Sequence, residues 1–235
     1  MQESEEQDTF DDVRLLFDQN EPKVLKTFDF SDTISIQVLS AEDKEPGALQ
    51  SGIFLWPASY ALCEFLCGEF DENWCSVVEF GAGCGLVGLT AAKLLQNRKI
   101  KGKVIFTDRD WVSLKIIKSS VKANKFLKDI ITIEQKILKW TLGKPEAQEE
   151  IVFQSADLAL GSDLMYSTES ALALISTVFR VMPKNRTWRF ILSSSFRHIE
   201  TTNLVEKECE KIGMKRRVLH ESYQNCLIEE YTTNC

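Results

Sequence analysis

Val77-Val78-Glu79-Phe80-Gly81-Ala82-Gly83-Cys84-Gly85-Leu86 is the stretch whose reading decides the fold. An apolar run ends in a carboxylate, passes through three alternating glycines and enters Leu86-Val87-Gly88-Leu89-Thr90-Ala91-Ala92, which reads as a helix start. Such a pattern predicts a buried strand turning sharply into a helix, with so little side chain at the turn that a ligand can lie against the backbone. In open α/β sheets, a nucleotide-like cofactor is the natural occupant of that turn.

Two cofactors compete for it. Gly83 to Gly88 satisfies the G-x-G-x-x-G dinucleotide fingerprint, a weak signal when it stands alone. Read from Glu79, the pattern is acidic-x-Gly-x-Gly-x-Gly, which resembles motif I of class I S-adenosylmethionine (SAM) methyltransferases. The resemblance implies that the glycines let the backbone approach the methionine portion of SAM and that the acid organises the loop. The charge of the ligand separates the two readings. A pyrophosphate is anionic and wants bare helix N–H groups. SAM carries an ammonium and a sulfonium beside its carboxylate, so an acid at the strand end favours SAM.

The length of 235 residues suits one domain with a sizeable core. With 44% hydrophobic and 27% charged residues, the composition is that of a soluble globular protein. The first residues, Met1-Gln2-Glu3-Ser4-Glu5-Glu6, have neither the basic flank nor the apolar segment of a signal peptide, and no apolar run is long enough to span a bilayer. The seven cysteines are odd in number and irregularly spaced, as in a reduced intracellular protein, and the two histidines offer no zinc constellation. A net charge of −7 argues against nucleic-acid binding, which needs a basic footprint. The expectations are therefore no metal, no nucleic acid, no membrane, and a cytoplasmic chain that also has access to the nucleus.

Outward from the glycine turn, the chain alternates strands and helices. Residues 1–21 are acid-rich and poor in apolar side chains, which predicts a disordered tail ahead of a single domain over 22–235. Val24 to Phe30 and Thr33 to Leu39 alternate with period two around Ser31-Asp32, a β-hairpin extension within 22–50. Pro57 suits the first turn of a helix, and Trp56 just before it either plugs the helix end or covers a cofactor. Lys103 to Asp108 is a second buried strand ending in an acid, 25 residues past Gly83. Asp108 there can accept from both ribose hydroxyls of an adenosine, while Asp110 is better placed to cap the following helix. Trp111 to Asn124 reads as a helix and Ile130 to Ile137 as a third strand, with Trp140 after it either near the adenine or packing the loop. A fourth buried strand ends at Asp163, with Tyr166 three residues on. Ser170 to Met182, Thr187 to Ser195, Asn203 to Ile212, Arg216 to Glu221 and Cys226 to Tyr231 follow as helix, strand, helix and a closing antiparallel pair. The prediction is an α/β fold: a doubly wound, seven-stranded, mostly parallel sheet of the Rossmann-like class I methyltransferase type.

Four segments in this order resemble the seven-strand protein lysine methyltransferases of methyltransferase family 16, the DxxY group. They are Gly52…Trp56, Glu79-Phe-Gly-Ala-Gly-Cys-Gly85, Thr107-Asp108 and Gly161-Ser-Asp163-Leu-Met-Tyr166, together covering about residues 50–170. The resemblance implies a SAM site lined by Trp56, Glu79, Gly81, Gly83, Asp108 and Trp140, with Asp163 and Tyr166 beside the target side chain. It also implies a monomer acting on a protein substrate, with a subunit of a complex, a chaperone or a translation factor as the expected kinds. Thr141-Leu142-Gly143 departs from the family's usual Trp-Gly after the third strand. The Ser51-Gly52…Trp56-Pro57 segment also resembles an arginine-methylating sister branch, which tends to lack the tyrosine at the position of Tyr166.

The activity implied is in-line transfer of a methyl group to a lysine amine, driven by positioning and desolvation. Asp163 would orient the amine and offset its developing charge, and Tyr166 would wall the channel. The plainer alternative makes Asp163 a helix cap and Tyr166 a core residue. His198, after a strand end, is a weaker candidate base, and His220 has no assigned role. Arginine or small-molecule methylation, a dehydrogenase, and a non-catalytic binding protein on the same fold remain as alternatives.

Overall fold

The computed structural model describes residues 23–42, 51–143, 152–195 and 199–233. The acidic stretch 1–21 and His198 lie outside the described residues.

The chain opens with the expected hairpin, β1 (Lys23–Ser31) and β2 (Ile34–Ala41), a separate two-stranded sheet. Alternation works as the sequence suggests: Ile34, Ile36 and Val38 are buried, while the residues between them are less so. After a 3₁₀ turn at Ser51–Ile53 come α1 (Pro57–Glu69), β3 (Ser76–Glu79), α2 (Leu86–Asn97), β4 (Gly102–Asp108) and α3 (Trp111–Asn124). They are followed by β5 (Ile131–Ile137), β6 (Leu158–Ser162), α4 (Thr168–Val181), β7 (Arg189–Ser194), α5 (Ile199–Ile212), β8 (Met214–Tyr223) and β9 (Cys226–Thr233). The hairpin docks through side chains of α3: Asn124 accepts from Gln37 N–H at 2.9 Å and donates to Gln37 O at 2.6 Å, and Ser120 Oγ accepts from Leu39 N–H at 2.9 Å. Those bonds occupy backbone groups that an exposed strand edge would leave open to another chain.

The main sheet has the expected seven strands, in the order β5-β4-β3-β6-β7-β9-β8. The five strands from β5 to β7 are parallel, and β9 pairs antiparallel with both β7 and β8. Helices cover both faces, which is why β3 is buried at every position, with Val77 and Val78 leading into Glu79. Two elements differ most from the sequence reading. Helix α5 starts at Ile199 rather than Asn203, because its first turn is polar apart from an Ile199 that is 78% exposed, so no apolar stripe marks it. Strand β8 runs ten residues rather than the predicted Arg216 to Glu221, with register shifts between Val218 and Tyr223 that break the period-two pattern.

Topology fixes where a ligand sits. From β3 the chain moves to β4 and β5 on one side, then returns to β6 and β7 on the other. The crevice at the carboxyl ends of β3 and β6 is the switch point of such a sheet. The glycine turn leaves β3 there, and Asp163 follows β6 on the adjacent strand.

Candidate active site

The glycine turn is held by the carboxylate that precedes it. Helix α2 has Gly85 at its N-cap, with φ 80° and no side chain to receive the first free N–H groups. Glu79 supplies that acceptor from the end of β3: its Oε2 takes Gly88 N–H at 2.9 Å, and Thr107 Oγ1 donates to the Glu79 carbonyl at 2.8 Å. Glu79 is 2% exposed. Burial raises its carboxyl to about 8; the N–H groups of Gly88 and Val87 oppose the rise and the charge of Asp108 adds to it. Glu79 therefore organises the loop from behind, and its side chain is turned into the helix start.

Gly81 and Gly83 need to be glycine for two reasons each. Both have left-handed φ, +56° and +53°. A Cβ on Gly81 would lie 2.7 Å from Leu164 Cδ2 and 2.9 Å from Trp140 Cζ2, and one on Gly83 would lie 3.0 Å from the Gly52 carbonyl oxygen. Trp140 and Leu164 thus lie directly against the first glycine, and the segment before α1 lies against the second. Cys84 Sγ, 3.5 Å from Gly52 O, joins the same segment to the loop.

Asp108 ends β4, 8% exposed and with its carboxyl raised chiefly by burial. Its Oδ2 accepts from Gly83 N–H and its Oδ1 from Asp110 N–H, both at 2.9 Å. A carboxylate has about four acceptor sites, so one remains on each oxygen. That is the acceptor pair a vicinal diol needs, and adenosine ribose is such a diol. Asp110, not Asp108, caps α3 by accepting from Val112 N–H at 2.9 Å. The residues thus fit SAM: a side-chain-free turn that any Cβ would crowd, and beside it a carboxylate with a free site on each oxygen.

Asp163 lies one residue past β6 in left-handed conformation, φ +53°, which Asp tolerates better than most residues. Its amide donates to Ser193 O at 2.9 Å. Its Oδ1 accepts both Ser195 N–H at 2.7 Å and Ser195 Oγ–H at 2.6 Å, and its Oδ2 accepts Ala58 N–H at 3.2 Å. Ala58 is in the first turn of α1, whose N-cap residue Trp56 makes no side-chain cap bond. Asp163 is thus a helix cap, but for a helix 105 residues away in sequence. Its own following helix, α4, is capped by Ser167 in a capping box with Ser170. Tyr166, three residues past Asp163, is 66% exposed and belongs to no core cluster.

The half-buried Trp56 is held in place by its backbone, since its carbonyl accepts both the amide (3.0 Å) and hydroxyl (2.6 Å) of Ser59. His220 is exposed on β8, its ring edge-on to Phe65 and Tyr223. Sequence reasoning missed Gly52 as a wall of the loop, Leu164 as a cover on Gly81, and Ser195. Only the serine run Ser193-Ser194-Ser195 at a strand end hinted at the last.

Fold and site together define the seven-stranded methyltransferase architecture, with a turn and a carboxylate that fit SAM. The architecture matches the crystal structure of a methyltransferase from Pyrococcus furiosus with a TM-score of 0.55, at 14% identity over 81% of this chain and 87% of that one. The chain belongs to the lysine methyltransferase family, whose model matches residues 36–209. It is 32% identical over 165 residues to protein N-lysine methyltransferase METTL21A of Mus musculus, covering 69% of this chain and 68% of that protein. With METTL21A of Xenopus tropicalis it shares 30% identity over 153 residues, 65% of this chain and 64% of the relative. The match therefore spans about two thirds of the length of these relatives.

Proposed function

We propose that this chain transfers a methyl group from SAM to a lysine side chain of a protein substrate. The observation that carries the reading is the pair of acceptors at the switch-point crevice. Asp108 keeps one free site per oxygen where a ribose would lie, and Asp163 keeps a single free site beside the exposed Tyr166.

When bound, SAM supplies an electrophilic methyl carbon and a thioether leaving group. The residues of this chain have to position the amine. A lysine attacks only as the neutral amine, so it must first lose the proton it carries below a pKa of about 10.4. Asp163, accepting an N–H of that amine, would aim the nitrogen lone pair and offset the positive charge that grows on it. The exposed Tyr166 would wall the approach of the alkyl stem and leave its hydroxyl for the substrate. Trp56, Trp140 and the Gly52 segment around the glycine turn would exclude water from the cofactor, strengthening these polar contacts. Glu79 serves the cofactor indirectly, by holding the turn.

The test is incubation of the purified protein with methyl-labelled SAM and cell lysate, followed by hydrolysis of any labelled band. Methyllysine supports the proposal; methylarginine transfers it to arginine; no SAM binding by calorimetry overturns it. The same reading has the chain acting as a monomer on a protein of the cytoplasm or nucleus, which light scattering and fractionation check.

A further inference from the structure

We infer that Ser195 is a positioning residue for methyl transfer: it saturates Oδ1 of Asp163 and so reserves Oδ2 as the oxygen that receives the substrate amine. The inference rests on the methyltransferase reading above. Each carboxylate oxygen accepts about two hydrogen bonds. On Asp163, Oδ1 receives two, from the amide and hydroxyl of Ser195 at 2.7 and 2.6 Å, whereas Oδ2 receives one, from Ala58 N–H at 3.2 Å. The free acceptor site of the carboxylate is therefore on one named atom.

The three bonds also fix where that atom points. Ser195 follows the end of β7, Asp163 follows the end of β6, and Ala58 is in the first turn of α1. The donors come from two elements on two sides of the carboxylate, so it cannot rotate without breaking a bond to one or the other. The clamp is reinforced by the backbone bond from Asp163 N–H to Ser193 O, which sets the height of Asp163 against β7. Serine suits the task because one residue donates twice to the same oxygen. Alanine would keep the amide and lose the hydroxyl, leaving Oδ1 with a vacancy that competes with Oδ2 for the amine. Threonine would keep the hydroxyl.

Misdirection of this kind acts on the transfer step and not on cofactor affinity, since Ser195 makes no bond to the glycine turn or to Asp108. The experiment compares wild type, Ser195→Ala and Ser195→Thr. The first readout is the rate of transfer from saturating methyl-labelled SAM to the lysate protein that wild type labels, alongside calorimetric SAM affinity. Ser195→Ala should transfer about tenfold more slowly, as for a lost transition-state orientation worth one hydrogen bond to a charged acceptor. Its SAM affinity should stay within twofold, and Ser195→Thr should recover most of the rate. The second readout is amide hydrogen exchange of Ala58, which needs no turnover. Loosening the carboxylate in Ser195→Ala should speed that exchange severalfold. An alanine variant with wild-type transfer rate overturns the positioning role, as does a threonine variant no better than alanine. Unchanged Ala58 exchange overturns the clamp itself. A wild type that binds SAM and labels nothing counts against the methyltransferase reading, and the exchange result then decides the clamp on its own.

Discussion

Replacing Asp163 with alanine should destabilise the whole protein, and the structure says by how much. The variant removes the side-chain acceptor of Ala58 N–H in the first turn of α1, whose N-cap residue Trp56 makes no side-chain cap bond. A lost N-cap costs about 1 kcal/mol. It also strips Ser195 of an ionised acceptor for two donors. Bonds to charged groups contribute about 1.5–3 kcal/mol, and water at this half-exposed site returns part of that, leaving about 1–2 kcal/mol. Alanine in place of aspartate at φ +53° adds about 1 kcal/mol of backbone strain. The total is about 3–4 kcal/mol, or a fall in Tm of roughly 10 °C for a chain of this size. Asp163→Asn retains tolerance of the left-handed backbone and one acceptor oxygen, so its Tm should fall by less than half as much. Thermal unfolding followed by circular dichroism measures both. An alanine variant within 2 °C of wild type would refute the claim that this carboxylate caps α1. The same geometry makes alanine a poor probe of chemistry here. By loosening α1 it disturbs the segment from Gly52 to Trp56 that borders the glycine turn, so SAM affinity should drop as well, whereas the asparagine variant should lose transfer with SAM affinity largely kept.

Other outcomes follow from the same contacts. Gly83→Ala combines left-handed φ with a Cβ 3.0 Å from a backbone oxygen that cannot swing aside, so calorimetry should show SAM affinity reduced at least tenfold while the fold persists. Tyr166→Phe removes a hydroxyl from a 66% exposed ring, so Tm should stay within about 1 °C while methyl transfer slows; unchanged transfer would take the hydroxyl out of the site. Glu79, held near 8 in the fold against an ordinary value near 4.5, keeps a proton that the unfolded chain sheds, so its contribution to stability is present at low pH, declines from about pH 4.5 to 8 and is flat above. Glu79→Gln mimics the protonated form and keeps an oxygen for Gly88 N–H, so urea midpoints between pH 5 and 8 should vary less than in wild type; an equal slope in both proteins would place the titration elsewhere.

Local pattern alone determined much of this protein. The run into Glu79-Phe80-Gly81-Ala82-Gly83, the acid ending at Asp108, the cap at Asp110 and the proline opening α1 are signals carried within a few residues, because backbone freedom, buried-strand apolarity and capping are short-range effects. Strand–helix alternation then leaves few topologies, and the seven-stranded order is among them. What the sequence did not carry are the pairings made across the sheet. Asp163 looked like either a catalytic acid or a cap for the helix after it; it caps α1, 105 residues earlier in the chain. Glu79 was legible as the acid that organises the loop, but not the N–H it takes, that of Gly88 in the first turn of α2. Ser195 carried no more signal than a serine run at a strand end, because such a serine acquires a role only from the carboxylate that the neighbouring strand delivers to it. Parallel sheets bring the ends of strands that are far apart in sequence within hydrogen-bond reach, and no local rule records which side chains meet there. The chain wrote its turns and caps residue by residue; the register of β3, β6 and β7 decided which of them form one site.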